Sequence, residues 1–344
     1  MSKFIKFFSK LLIVSIVVCM LFVFVSCNKN KNESEKEINY LSNSNATQEA
    51  KDLYNFLRAT YGHKIISGQQ ESTWISEDYE FDYIYEHTGK YPAIRGLDFI
   101  NDDFDGVIAR AKKWHQKGGI VTICWHCSSS FDKGYEESQN SALTKEQWEA
   151  MLTEGTPEYN AMIAGMDKAG NALAKLQEAN IPVLWRPFHE FDGWWFWWGQ
   201  GIEDVEDHFK AIWRIMYNHY TNDLHLNNLI WVLGYSEYCD IRGVDAYYPG
   251  DEYCDIVGAD SYFTTTYGAE QRLYDAVNEI NNNKKPMVMH ENGYLPTAEE
   301  FEEVPWVWFM TWHTNYLVDE NTTEALNALY NSDYVLTLDD IKNR

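Results

Sequence analysis

Basic side chains are scarce in this 344-residue chain. Only 28 Lys and Arg stand against 52 Asp and Glu, for a formal net charge of -24 at pH 7. A surface that acidic repels phosphate backbones and anionic lipid, so nucleic acid is excluded as a partner. Nucleotide-binding loops are missing as well. There is no Gly-x-Gly-x-x-Gly turn and no Gly-Lys-Ser/Thr loop. Cysteine is sparse, with six in all. Cys124 and Cys127 have Cys-x-x-Cys spacing, but no second pair has zinc spacing, and residues i and i+3 of a strand point to opposite faces. His189-Glu190 opens like a His-Glu-x-x-His zinc motif, yet Gly193 stands where the second His belongs. Asp102, Asp103 and Asp105 read as a solvated loop rather than a calcium site. No metal and no cofactor is expected.

The first 26 residues read as a secretory signal. Lys3, Lys6 and Lys10 precede an uncharged apolar run over residues 11–25, too short for a comfortable membrane span. Phe24-Val25-Ser26-Cys27 resembles a bacterial lipobox, which makes Cys27 the expected lipidated first residue of the mature chain. Removal of the signal would take three lysines and no acid, leaving the chain more acidic still. Polar residues 27–45 read as a disordered tether, and residues 46–344 as the folded domain. The expected location is a bacterial membrane, reached only through that lipid: the outer membrane, facing the periplasm or the cell surface. Cys124, Cys127, Cys239 and Cys254 would then lie in a compartment that permits disulfides, with no pairing legible.

Aromatic residues are abundant, including 14 Trp and 23 Tyr. Four of the tryptophans fall within five residues, Trp194, Trp195, Trp197 and Trp198, just after the short apolar run 181–185. That run is bounded by Pro182 and Pro187 and reads as a buried strand, with Arg186, His189 and Glu190 where it ends. Charged groups walled by indoles suit a pocket for something flat-faced and polar, such as a sugar ring.

Similar apolar runs recur along the chain. Strands are predicted at 63–68, 91–99, 119–125, 181–185, 229–233, 255–260, 286–289 and 305–310. Helical periodicity is predicted at 46–61, 76–88, 105–117, twice within 144–179, and at 205–220, 271–281 and 320–330. Continuous apolar strands alternating with helices indicate a parallel sheet covered by helices. Eight such units point to an α/β fold of the closed (β/α)8 TIM-barrel type in a single catalytic domain, with an open doubly wound sheet as the alternative.

A barrel places functional residues at the carboxyl ends of its strands. His126, His189, Glu190, Asp260, Tyr262, Glu291, Trp312 and His313 all fall there. Glu190 and Glu291 form the carboxyl pair that glycoside hydrolysis needs, one protonated and one ionised. A retaining pair would stand about 5–5.5 Å apart, an inverting pair about 6.5–9.5 Å. Flanking Trp and Phe should desolvate Glu190 and raise its pKa, while neighbouring donors should keep Glu291 ionised.

The run Arg186-Pro187-Phe188-His189-Glu190-Phe191-Asp192-Gly193-Trp194-Trp195-Phe196-Trp197-Trp198-Gly199 resembles the acid/base motif of glycoside hydrolase family 26, the β-mannanases. Trp125-His126, Gly258-Ala259-Asp260-Ser261-Tyr262 and His290-Glu291-Asn292-Gly293 resemble the same family, and the likeness covers most of residues 46–340. It implies a retaining double displacement, with Glu190 as general acid/base and Glu291 as nucleophile. It further implies that His126, His189, Trp195, Tyr262 and Trp312 contact the sugar or the nucleophile. Arg186 and Asp260 would support them. Many relatives carry Arg where this chain has His313, which leaves the distal subsites open.

The expected activity is therefore endo-β-1,4-mannanase on β-mannan, glucomannan or galactomannan. A β-glucanase, a xylanase or a mannobiose-releasing exo-enzyme stays open within the family. A non-catalytic surface glycan-binding lipoprotein is the reading from another class. A monomer is expected.

Overall fold

Eight parallel strands close into a ring in the computed structural model, which describes residues 40–132, 134–262 and 270–343. The strands are β1 (Ile65–Gln70), β2 (Ile94–Asp98), β3 (Ile120–Cys124), β4 (Val183–Arg186), β5 (Leu229–Tyr235), β6 (Ile256–Ser261), β7 (Met287–Asn292) and β8 (Trp308–Thr311). Each pairs with the next, and β8 pairs with β1 from Ile66↔Trp308 to Gln69↔Thr311. A two-residue strand, β9 (Val335–Leu336), lies beside the start of β1.

The strands are buried on both faces, hence their unbroken apolar runs. Inward-facing residues at the strand starts, Ile66, Ile94, Ile120, Leu184, Ile230, Ile256, Val288 and Trp308, form one interior cluster. Helix α1 (Gln48–Thr60), capped by Thr47, closes that end with Leu53, Tyr54 and Leu57. Side chains alternate along a strand. The face that carries Leu184 therefore carries Arg186, and those of Ile66, Ile256 and Val288 reach Gln70, Asp260 and His290. The barrel interior is apolar below and polar at its carboxyl mouth.

Outside the ring, α2 (Tyr79–Thr88), α3 (Phe104–Gln116), α5 (Lys145–Leu152), α6 (Pro157–Gln177), α7 (Val205–Asn218), α8 (Gln271–Asn281) and α9 (Thr323–Tyr330) cover the sheet. The short α4 (Tyr135–Asn140) lies in the β3–α5 connection. Local signals explain their limits. Thr144 and Gln147 form a capping box at α5, and Thr156 caps α6, which begins with Pro157. Phe209, Ile212, Trp213 and Met216 form the buried face of α7.

Strand and helix limits shift by up to three residues from the sequence reading, and three differences matter more. Residues 41–45 belong to the packed domain and not to the tether: Leu41 is buried, and Ser42 N donates to Asp255 Oδ1 at 2.6 Å. Strand β7 runs on through His290, Glu291 and Asn292. The polar loop after β3 contains α4, whose Glu-Glu-Ser-Gln-Asn run has no apolar stripe to betray it. The signal segment, Cys27 and most of the tether lie outside the described residues. Cys124, Cys127, Cys239 and Cys254 are all free and buried.

Candidate active site

Glu190 sits on a bent backbone. Its φ is +53°, with Phe188 at +49° and Trp194 at +70°, all in the left-handed region that bulky residues avoid. Its amide donates to Gly234 O at 2.8 Å, which ties the turn after β4 to β5. The side chain is buried apart from 9% of its surface. Trp195 Nε1 donates to Glu190 Oε2 at 2.7 Å. The Trp195 ring reaches there because residue 193 is glycine; a Cβ at that position would lie 2.3 Å from the indole. Burial first, and then the charge on Glu291, push the Glu190 pKa up to about 7.

Glu291 is held differently. Oε1 accepts from Arg186 Nη1 at 2.8 Å, and Oε2 accepts from Tyr262 OH at 3.0 Å. Burial raises its pKa, opposed by the Arg186 charge and the two hydrogen bonds. Of the pair, Glu291 alone has a buried cation against it, so it ionises first.

Arg186 is the hub beneath the site and is fully buried. It donates to Thr122 Oγ1 at 3.0 Å, Gln70 Oε1 at 3.1 Å and His290 Nε2 at 3.0 Å. A guanidinium only donates, so His290 Nε2 must accept and its Nδ1–H must face Asp260 Oδ1, 2.5 Å away. Burial, with Arg186 nearby, keeps His290 neutral; burial and the charges of Glu291 and Glu190 hold Asp260 well above the usual carboxylate range. Gly234 makes room for this ring, since a Cβ there would meet it at 2.5 Å.

His126 forms the opposite wall. Its Nδ1 lies 2.5 Å from Asp98 Oδ2, and its amide donates to Asp98 Oδ1 at 3.1 Å. Burial works against both charges, yet the contact outweighs it: His126 is raised and Asp98 lowered, as in an ion pair. His189 lies between His126 and His290, with ring centroids 4.6 and 5.5 Å away. Burial and those neighbours keep it neutral. Its Nε2 is 3.7 Å from Glu291 Oε1, and neither ring nitrogen has a hydrogen-bond partner among the described residues.

These residues open on one cavity of about 300 Å³, lined by His126, His189, Glu190, Trp195, Tyr262, Glu291 and Trp312, with Tyr135, Phe196, Glu237 and Tyr316. A second cavity of about 620 Å³ shares His126, Tyr135, Trp312 and Tyr316 with it and runs on to Trp74 and His313. Burial pushes His313 down to about 4, and its ring packs 4.6 Å from Trp74 and 5.0 Å from Trp312. The structure thus brings together all nine residues singled out in the sequence. Sequence reasoning missed Asp98, although it ends β2 as the others end their strands. It also missed Gln70 at the end of β1, Trp74 and Glu237 on loops, and Tyr135 and Tyr316 on short helices.

Among the described residues, two groups have donors close enough for a metal: Asp98, Cys124 and His126, and Asp260, His290 and Glu291. Neither suits one. Burial raises the Cys124 thiol, so it stays protonated, and Arg186 already occupies the Glu291 oxygen. Asp102, Asp103 and Asp105 do structural work instead. Asp103 caps α3 and pairs with Arg110, and Asp105 pairs with Lys175.

A closed parallel barrel with a buried carboxyl pair at its carboxyl mouth, walled by indole, phenol and imidazole rings, has the build of a carbohydrate-active (β/α)8 barrel. The chain belongs to glycosyl hydrolase family 26, whose sequence profile matches residues 42–340. It is 31% identical over 327 residues to a mannan endo-1,4-beta-mannosidase of Thermothelomyces thermophilus, covering 88% of this chain and 63% of that protein. It is 32% identical to mannan endo-1,4-beta-mannosidase A of a Piromyces species, covering 88% of this chain and 50% of that one. The chain therefore spans about half to two thirds of the length of these curated relatives. Among solved structures, a β-mannanase from a symbiotic protist of the termite Reticulitermes speratus, complexed with gluco-manno-oligosaccharide, superposes with a TM-score of 0.79 at 30% identity. That match covers 88% of this chain and 98% of that one. The Bacillus subtilis mannanase man26 gives 0.74 at 28% identity, covering 86% and 94%.

Proposed function

We propose that this chain is a retaining endo-β-1,4-mannanase. The observation that carries the reading is the unequal treatment of two buried carboxyl groups facing one cavity. Arg186 and Tyr262 hold Glu291 as the anion, while Glu190 keeps its proton to about pH 7. In the first step Glu190 gives that proton to the glycosidic oxygen as Glu291 attacks the anomeric carbon. The bond to the leaving sugar breaks and a glycosyl ester forms on Glu291. Glu190, now a carboxylate, takes a proton from water. That water attacks the anomeric carbon, the ester bond breaks, and Glu291 leaves as the anion.

The neighbours have matching tasks. Trp195 holds the acid/base in place, and Tyr262 and Arg186 hold the nucleophile. His189 presents an unpaired ring nitrogen to a sugar hydroxyl, and the Trp312 ring carries the sugar face. The mannan preference is supported by the activity named for the relatives. A second cavity, which adjoins the first at His126, Tyr135, Trp312 and Tyr316 and runs to Trp74, supports binding of a chain longer than the cleaved unit. Cys27 is the proposed site of lipid attachment to the membrane. Labelled palmitate should enter the wild type and not Cys27→Ala.

Reducing-sugar release from glucomannan tests the reading. Wild type should release sugar, with losses of about 10²–10⁴-fold in Glu190→Ala and at least as large in Glu291→Ala. Tight binding of glucomannan by wild type with no release would favour a glycan-binding lipoprotein. Faster cleavage of cellohexaose or xylohexaose than of mannohexaose would replace mannan as the substrate.

A further inference from the structure

We infer that Trp194 is a stacking platform for a neutral sugar on the leaving-group side of the scissile bond, backed by Arg242 and flanked by Tyr238. This rests on the mannanase reading and adds a residue that sets preference to it. Trp194 is a large aromatic that the fold leaves 51% exposed. Its backbone is strained: φ is +70°, where an indole-bearing residue is disfavoured and glycine or asparagine would sit more easily. The strain aims the ring outward, while the adjacent Trp195 turns inward onto Glu190.

One face of the Trp194 ring is already covered. The Arg242 guanidinium carbon lies 3.2 Å from the ring centroid, a cation–π contact. Arg242 Nε and Nη2 are buried with no hydrogen-bond partner among the described residues, and its charge also opposes the burial that raises the Asp192 carboxyl. It ends a short helix, Cys239–Arg242, which an Asp240–Arg272 ion pair at 2.8 Å fixes to α8. With its back supported from the β5 loop, the indole offers a flat surface, which fits the C–H face of a pyranose.

Direction follows from the chemistry. Glu190 protonates the leaving oxygen, so the leaving sugar lies on its side of the cavity. Trp195 touches Glu190, and Tyr238 sits 6.0 Å from both the Trp195 and the Trp194 rings. The three form an aromatic line running outward from the acid. The larger cavity leaves by another route, past Trp312 to Trp74, and neither catalytic carboxylate lines it.

Two substrates separate this role from a structural one: mannohexaose, whose leaving group is a sugar chain, and 4-nitrophenyl β-mannobioside, whose leaving group is not. Trp194→Ala should lower kcat/KM for mannohexaose on the order of tenfold, equivalent to ~1.4 kcal/mol, with the aryl mannobioside unchanged. Trp194→Phe should recover most of the loss. An unchanged hexaose rate, or an equal loss on both substrates, would overturn the platform. If the wild-type chain hydrolysed neither substrate, the mannanase reading would fall, and the platform would be judged by calorimetric titration with mannohexaose. Weaker binding by Trp194→Ala would then uphold it, and equal binding would overturn it.

Discussion

Glu190 trades stability for chemistry. Its pKa is held near 7 in the fold, against about 4.5 for the ordinary group, so the native state binds a proton that the unfolded chain has lost. Between those two values the native state carries more protons, and unfolding free energy falls as pH rises. Asp192 adds a second contribution of the same sign, because burial also lifts it to about 7. Replacing Glu190 with the neutral isostere should therefore stabilise the protein. Glu190→Gln is expected to raise Tm by a few degrees at pH 8, with the gain vanishing near pH 4. Calorimetric scans of both proteins at the two pH values check this. A gain that is the same at both values would show that repacking, not ionisation, is responsible. If Glu190 is the acid, as proposed, the same proton would set the alkaline limb of the rate profile: activity should fall as pH rises through about 7.

At the scale of single elements, the carboxyl end of each strand carries the chemistry and its alternation decides what points inward. Gly234 on β5 is the clearest case, because its missing side chain is filled by the His290 ring. Gly234→Ala should push that ring away from Arg186 and Asp260, with a stability loss of about 1–3 kcal/mol from overpacking. Denaturant melts and kcat of the variant measure the two effects separately. An unchanged kcat would mean that the His290–Arg186 contact does not hold Glu291 in place. The strands were legible because burial on both faces leaves unbroken apolar runs, and their ends exposed Glu190, Glu291, Asp260 and His126. Helix α4 was not, since its residues are polar and only Ser138 is buried. The loop residue Trp74 and Tyr135, the first residue of α4, escaped because no periodicity marks a ring brought in by a long connection. Asp98 was read simply as the end of a strand, and its pairing with His126 depends on the adjacent β3.

Across the whole molecule, the carboxyl pair occupies one part of a longer aromatic trough. Trp312 and His313 continue it from the reacting centre, and Trp74, 72% exposed, stands at the far end with its ring 4.6 Å from His313. Burial keeps His313 uncharged down to about pH 4, so under the proposed function this arm would hold sugar by ring contact and hydrogen bonding rather than by charge. Its lining also includes Asp98, Glu136 and Glu137, which would repel an acidic sugar and admit a neutral one. Binding along such an arm contributes to every substrate long enough to fill it and to none that is shorter. Trp74→Ala should therefore lower kcat/KM for mannohexaose about 2–13-fold and leave the shortest cleavable oligosaccharide unaffected, since an exposed aromatic contact contributes ~0.5–1.5 kcal/mol. Product analysis should show cleavage shifting along the hexaose, because losing the distal contact frees the chain to slide across the carboxyl pair. The loss should be the same at pH 5.5 and pH 7.5, where His313 is neutral throughout. A loss confined to the lower pH would mean that His313 grips the sugar as a cation.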